Sequence, residues 1–247
     1  MRPEPFQALQ AASRGAPAAA VAPAILIAGA TGVLGNEMLR RLAGSGSGPV
    51  QVLAREPMTE GLRSLTCVVV PPELDGGWPL VAARTGIILF DPPRLFYDRE
   101  RALWTPRPDQ LAALARWMRG CGVSTLAVVL PHAQGRLPEA LKRGLASLDE
   151  QAVATLGFDR VLFVRSPEKP AAAPRRGFLS RVAHGMLATL RYMVPSSEQP
   201  VRAAKVAELV ATALQLAPPG IHVAAPELVW RASQGNMRAQ VAAWLGR

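Results

Sequence analysis

Tyrosine occurs only at Tyr97 and Tyr192, and lysine only at Lys142, Lys169 and Lys205. Chemistry that needs a phenol beside an ammonium group must be built from these few residues. Cysteine is as scarce, with Cys67 and Cys121 alone. There is no C-x-x-C spacing, which excludes a cysteine knuckle or a vicinal redox pair. Cys67 lies in the apolar run "LTCVVV" and reads as a small core residue. Cys121 lies in the turn "RGCGVS", and two reduced thiols fit a cytoplasmic location. No cluster with metal-ligand spacing is present, so no metal is expected. No apolar run reaches the roughly 18 residues that a membrane-spanning helix needs. Residues 1–23, rich in Ala and Pro, lack the basic end and unbroken apolar centre of a signal peptide. They read as a mobile tail.

Aromatic residues make up only 5% of the chain, and this bears on the meaning of its net charge of +10. A basic protein raises nucleic acid or an acidic membrane as partners. Here 25 of the 28 basic residues are arginine, and they are dispersed, with no run longer than Arg40-Arg41 or Arg175-Arg176. A nucleic-acid surface clusters its cations and interleaves them with aromatics. Neither specific nucleic-acid binding nor membrane binding is expected.

What the chain does have is an alternation of continuous apolar runs with helical patterns. Strands are expected at 24–30, 49–56, 65–72, 85–93, 123–131 and 159–167, and a last one at 221–229. Helices are expected at 35–46, 107–122, 137–157, 178–195, 200–220 and 237–246. Apolar strands without alternation are buried on both faces, as in a parallel sheet between helix layers. The fold class is therefore α/β: a doubly wound, mostly parallel Rossmann sheet with helices on both faces. One domain is expected over 24–247, with 166–200 as a small lid or substrate-side insertion.

Between the first strand and the first helix stands "GATGVLG", with Gly29, Gly32 and Gly35 in G-x-x-G-x-x-G spacing. Such glycines allow the tight turn, the approach of backbone N–H groups to a pyrophosphate, and close helix–sheet packing. The phosphates then lie at the helix N-terminus. Thr31 adds a hydroxyl, and Val33 and Leu34 complete the cradle. At the end of the second strand, 20 residues beyond Gly35, stands Arg55. An acid at that place holds the ribose hydroxyls of NAD, whereas an Arg suits the 2′-phosphate of NADP. NADP is the expected cofactor over NAD, with Glu56 next door as the counter-indication. Asp91 and Arg94 in "FDPPR" end the fourth strand and either touch ribose or phosphate or belong to a loop that the Pro pair simply sets. Asp75 lies within reach of an adenine or simply forms an Asx turn.

The motif "GATGVLG" resembles the opening of atypical short-chain dehydrogenases/reductases, including the NmrA-like and Tat-interacting-protein-like branch. "LGFDRVLFVRSPE" and "PVRAAKVAELVATAL" are similar to the sixth strand and a late helix of that superfamily. The resemblance implies a nicotinamide dinucleotide cofactor and a Tyr-x-x-x-Lys pair acting as proton donor and pKa-lowering cation. That pair is missing. Four residues past Tyr97 is Arg101, and four past Tyr192 is Ser196. Alignment on "EALKRG" puts Glu139 at the Tyr position and Arg143 at the Lys position. A shift of one residue brings in Lys142. Pro131 and His132 fall near the position of the Ser that completes the family's site. Glu139 and Arg143 read as a surface i,i+4 pair. His132, at the carboxyl edge of the sheet, and Lys142 are the remaining candidates for acid–base chemistry, although a lone His in a Pro-His loop is more often a solvated turn residue. His184 and His222 read as packing or strand residues, and Met186, Tyr192 and Met193 as core or as cover of a substrate pocket.

Three functions follow. The first is an NAD(P)-binding redox sensor or regulatory module without reductase chemistry. The second is an active NADPH-dependent reductase or isomerase of a small carbonyl compound using nonstandard groups. The third is a protein that no longer binds nucleotide, against which the glycines and Arg55 argue.

Overall fold

The computed structural model describes residues 24–46, 48–57, 65–74, 77–94, 97–132, 144–167 and 201–247. The 1–23 tail, Asp75, Glu139, Lys142, Arg143 and nearly all of the 166–200 insertion lie outside the described residues.

Seven strands form one sheet: β1 Ile25–Ala28, β2 Val50–Ala54, β3 Leu65–Val69, β4 Thr85–Leu89, β5 Thr125–His132, β6 Arg160–Pro167 and β7 Gly220–Ala224. Their order is β3-β2-β1-β4-β5-β6-β7, and every pairing is parallel. The helices are α1 Gly32–Gly44, α2 Asp98–Ala102, α3 Leu111–Gly120, α4 Leu148–Ala154, α5 Ala203–Leu216, α6 Pro226–Gln234 and α7 Met237–Trp244, with a 3-10 turn at Pro108–Gln110 before α3. This is a doubly wound Rossmann-like fold, and the order reverses at the β1/β4 junction.

Because side chains alternate along a strand, one strand feeds two cores. Ile25 and Ile27 join Met38 of α1 and Val210 of α5 on one face. Leu26 and Ala28 join Leu114 and Met118 of α3 on the other. Both faces are dry, which is why the strands read as unbroken apolar runs.

Three expected boundaries are corrected. Helix α1 starts at Gly32 rather than at Gly35, so Gly32 and Gly35 lie within its first turn while Gly29 precedes it. The helix expected over 137–157 is not continuous: residues 144–147 are non-helical, and α4 starts at Leu148. Ser147 causes this, because its side chain accepts the Glu150 N–H as an N-cap. The strand expected to run to Val229 stops at Ala224. Pro226 has no N–H for a ladder but fits the first turn of a helix, and α6 starts there. Among the described residues no helix is long and apolar enough to cross a membrane.

Candidate functional site: the glycine loop and its carboxylates

The first helix begins without a local cap. Thr31 makes no side-chain capping bond, and the first turn of α1 contains no acidic residue. A helix start leaves N–H groups unpaired and carries partial positive charge. Here the partners come from far along the chain. The Leu34 N–H donates to Asp91 Oδ2 at 3.0 Å. The Gly32 N–H donates to Glu100 Oε2, also at 3.0 Å. Two carboxylates thus lie where the first turn of α1 would meet an anion.

Asp91 sits just past β4, beside the switch point. Thr31 donates its hydroxyl to the Asp91 carbonyl oxygen and lies 3.2 Å from the Thr105 hydroxyl. Burial raises the Asp91 pKa above the ordinary carboxylate value, the Leu34 N–H opposes that, and the neighbouring Glu100 charge adds to it.

Glu100, in α2, is only 3% exposed. Its Oε1 accepts from Asn36 Nδ2 at 2.8 Å and from Arg94 Nε at 2.7 Å, and Arg94 Nη2 bonds the same oxygen. Its Oε2 accepts the Arg94 backbone N–H at 2.8 Å as well as that of Gly32. Burial alone would raise the Glu100 pKa. The hydrogen bonds from Arg94, Gly32 and Asn36 outweigh burial and hold it below the ordinary value, so the group is an anion. The Arg94 guanidinium also stacks on the exposed Tyr97 ring, 3.8 Å from its centroid.

The chain just beyond α2 crosses the carboxyl edge of the sheet. The Arg55 N–H donates to the Ala102 carbonyl at 2.7 Å, and Leu103 forms an antiparallel bridge with Ala54. The Trp104 N–H donates to the Leu53 carbonyl at 3.0 Å, and the Trp104 carbonyl accepts the Gly29 N–H at 3.2 Å. The Trp104 indole is 2% exposed and meets Trp78 edge-on, with ring centroids 4.7 Å apart. Its Nε1 donates to the Pro72 carbonyl, just past β3, at 3.4 Å.

The structure brings Gly29, Thr31, Gly32, Leu34, Gly35, Asp91 and Arg94 together, and Val33 is exposed beside them. Arg55 is exposed at the end of β2. His132 is the last residue of β5, opposite Pro167 in register. A small cleft between the first turn of α1 and the ends of β4, β5 and β6 is lined by Leu34, Phe90, Asp91, Val129, Pro131 and Ser166. The sequence reading missed Asn36, Glu100, Trp104 and Thr105. The one available signal was "DRERALW" shortly after the fourth strand, an acid–base run with an embedded Trp.

Each glycine also has an internal reason. A Cβ on Gly29 would lie 2.0 Å from the Leu89 carbonyl oxygen, on Gly32 2.8 Å from Asp91 Cβ, and on Gly35 2.3 Å from the Ala30 carbonyl carbon.

No protein-family model and no curated protein matches the chain. Solved structures do resemble it. MoeE5 in complex with UDP-glucuronic acid and NAD is 18% identical, over 81% of this chain and 75% of that one, at a TM-score of 0.47. A nucleoside-diphosphate-sugar epimerase from Staphylococcus aureus is 11% identical, over 81% and 70%, at 0.46. The Bordetella bronchiseptica enzyme WbmH in complex with NAD+ is 12% identical, over 85% and 80%, at 0.44. At such identities the likeness concerns the fold alone.

Proposed function

We propose that this chain is a nicotinamide-dinucleotide-binding module that prefers NADP(H) and acts as a redox sensor or regulatory module rather than as a reductase. The observation that carries this reading is the anion-seeking first turn of α1 at the sheet's switch point, with the Gly32 and Leu34 N–H groups aimed into the crevice. Arg55, exposed at the end of β2, supports the preference for a 2′-phosphate. The missing Tyr-x-x-x-Lys pair supports binding without the usual proton transfer. Hydride chemistry belongs to the cofactor. This chain would supply the phosphate cradle at the first turn of α1.

Calorimetric titration with NADPH and NADH tests the reading. NADPH is expected to bind more tightly, and Arg55→Asp to weaken NADPH by about tenfold or more while changing NADH less. Arg55 is the useful position because its side chain is exposed. A substitution at Gly32 would collide with Asp91 whether or not nucleotide binds. A panel of carbonyl compounds, followed at the nicotinamide absorbance band, is expected to give no turnover. Failure of the wild-type protein to bind either nucleotide would sink the proposal, and turnover would replace it with the reductase reading.

A further inference from the structure

The anion site at the start of α1 is already filled by the chain itself. We propose that Tyr97–Pro106 is an intramolecular occupant of the dinucleotide crevice, and that a dinucleotide binds by displacing Glu100 from the first turn of α1. This rests on the function proposed above.

Glu100 offers what a pyrophosphate would offer: a desolvated anion with its oxygens on the Gly32 N–H and on a basic side chain. The two cannot share the place, because adjacent anions out of water repel strongly. The segment that follows runs where the adenosine half of a dinucleotide crosses the ends of β1 and β2. It takes the Gly29 and Arg55 N–H groups and the Leu53 carbonyl. The aromatic Trp104 lies at its end, against the carbonyl of Pro72 beyond β3. Carboxylate, backbone and ring follow one another along the crevice in the order of pyrophosphate, ribose and base.

Arg94 makes the exchange feasible. Its guanidinium is partly exposed and pairs with Glu100, whose side chain is 4% exposed. When Glu100 leaves, Arg94 remains beside the loop and can pair with the incoming phosphate, so cationic charge is never stranded. Leu103 and Trp104 are buried in the two cores, so release of Glu100 begins in the short helix α2, whose Asp98 and preceding Tyr97 are exposed. That short helix opens locally at lower free energy than the seven-stranded core. The apparent affinity for dinucleotide is then the intrinsic one multiplied by the fraction of molecules in which the segment is out.

The full chain tests this in two measurements. Glu100→Gln keeps the shape and removes the charge, and it is expected to bind NADPH about tenfold more tightly than wild type by calorimetry. Hydrogen–deuterium exchange of the wild-type protein, with and without saturating NADPH, needs no variant. Peptides covering 97–106 are expected to exchange faster with NADPH, while those covering 29–35 exchange more slowly. If NADPH binds and protection over 97–106 stays the same or rises, displacement is overturned even if Glu100→Gln binds more tightly. Equal or weaker binding by a folded Glu100→Gln overturns it too. If neither nucleotide binds wild type or variant, the dinucleotide reading itself falls and takes this proposal with it.

Discussion

Replacing Glu150 by alanine is expected to lower the folding free energy by about 3–5 kcal/mol. Glu150 stands in the first turn of α4, and Arg165 on β6. Their side chains are 5% and 2% exposed, with Arg165 Nη2 2.8 Å from Glu150 Oε2. The same nitrogen donates to the Gly144 carbonyl at 2.7 Å, and the same carboxylate oxygen accepts the Ala146 N–H at 2.8 Å. The pair therefore ties the approach to α4 onto the end of β6, beside the cleft that contains Ser166. The expected loss comes from withdrawing the carboxylate from a buried guanidinium and from the Ala146 N–H that it also accepts. A double replacement, Glu150→Leu with Arg165→Met, is expected to recover much of it, because neither apolar side chain then buries a charge. Urea unfolding monitored by circular dichroism would measure both. In a domain of this size a loss of that magnitude lowers Tm by roughly 6–20 °C. A Glu150→Ala loss no larger than the roughly 0.5 kcal/mol of an ordinary surface change would remove the pair from the account of stability.

The sheet was readable because its central strands are buried on both sides. "AILIAGA" and "DRVLFVRSP" have no polar face to blur the assignment. The glycine loop was readable for the same local reason: its spacing sits between a strand and a helix. The misread boundaries were decided by single residues. Ser147 and Pro226 each start a helix by what they do with one N–H group, and apolar periodicity does not register that. The partners of the loop were hidden for a different reason. Glu100 lies 68 residues from Gly32 along the chain, and Asp91 lies 57 from Leu34. Nothing in the composition of "DRERALW" says that its glutamate is desolvated while the neighbouring Asp98 stays exposed. Asp91 and Arg94 were singled out as phosphate or ribose contacts from their place after the fourth strand. That place is the crevice, and in it one carboxylate caps α1 while the guanidinium holds another.

Gly29→Ala is expected to destabilise the protein by about 2–5 kcal/mol in the complete absence of nucleotide. Gly29 has φ +79, and an added Cβ would lie 2.0 Å from the Leu89 carbonyl oxygen and 2.9 Å from Pro106 Cδ. The left-handed conformation costs a side chain about 1–2 kcal/mol. The collision is with backbone at the end of β4, which cannot turn aside as a flexible side chain would, and overpacking of that kind adds about 1–3 kcal/mol. Gly44→Ala is the control, since nothing lies within 4 Å of a Cβ there and it lies in the last turn of α1. It is expected to be neutral or to stabilise by up to about 1 kcal/mol. Thermal unfolding of the two variants side by side decides the matter, and equal behaviour would remove the packing argument. The consequence reaches the function. If Gly29 is required by Leu89 and Pro106, and Gly35 by Ala30, most of G-x-x-G-x-x-G would persist in a chain that bound no nucleotide. The motif then attests the strand-to-helix turn. What sets a dinucleotide-binding chain apart is the free energy with which the Gly32 N–H exchanges Glu100 for a phosphate.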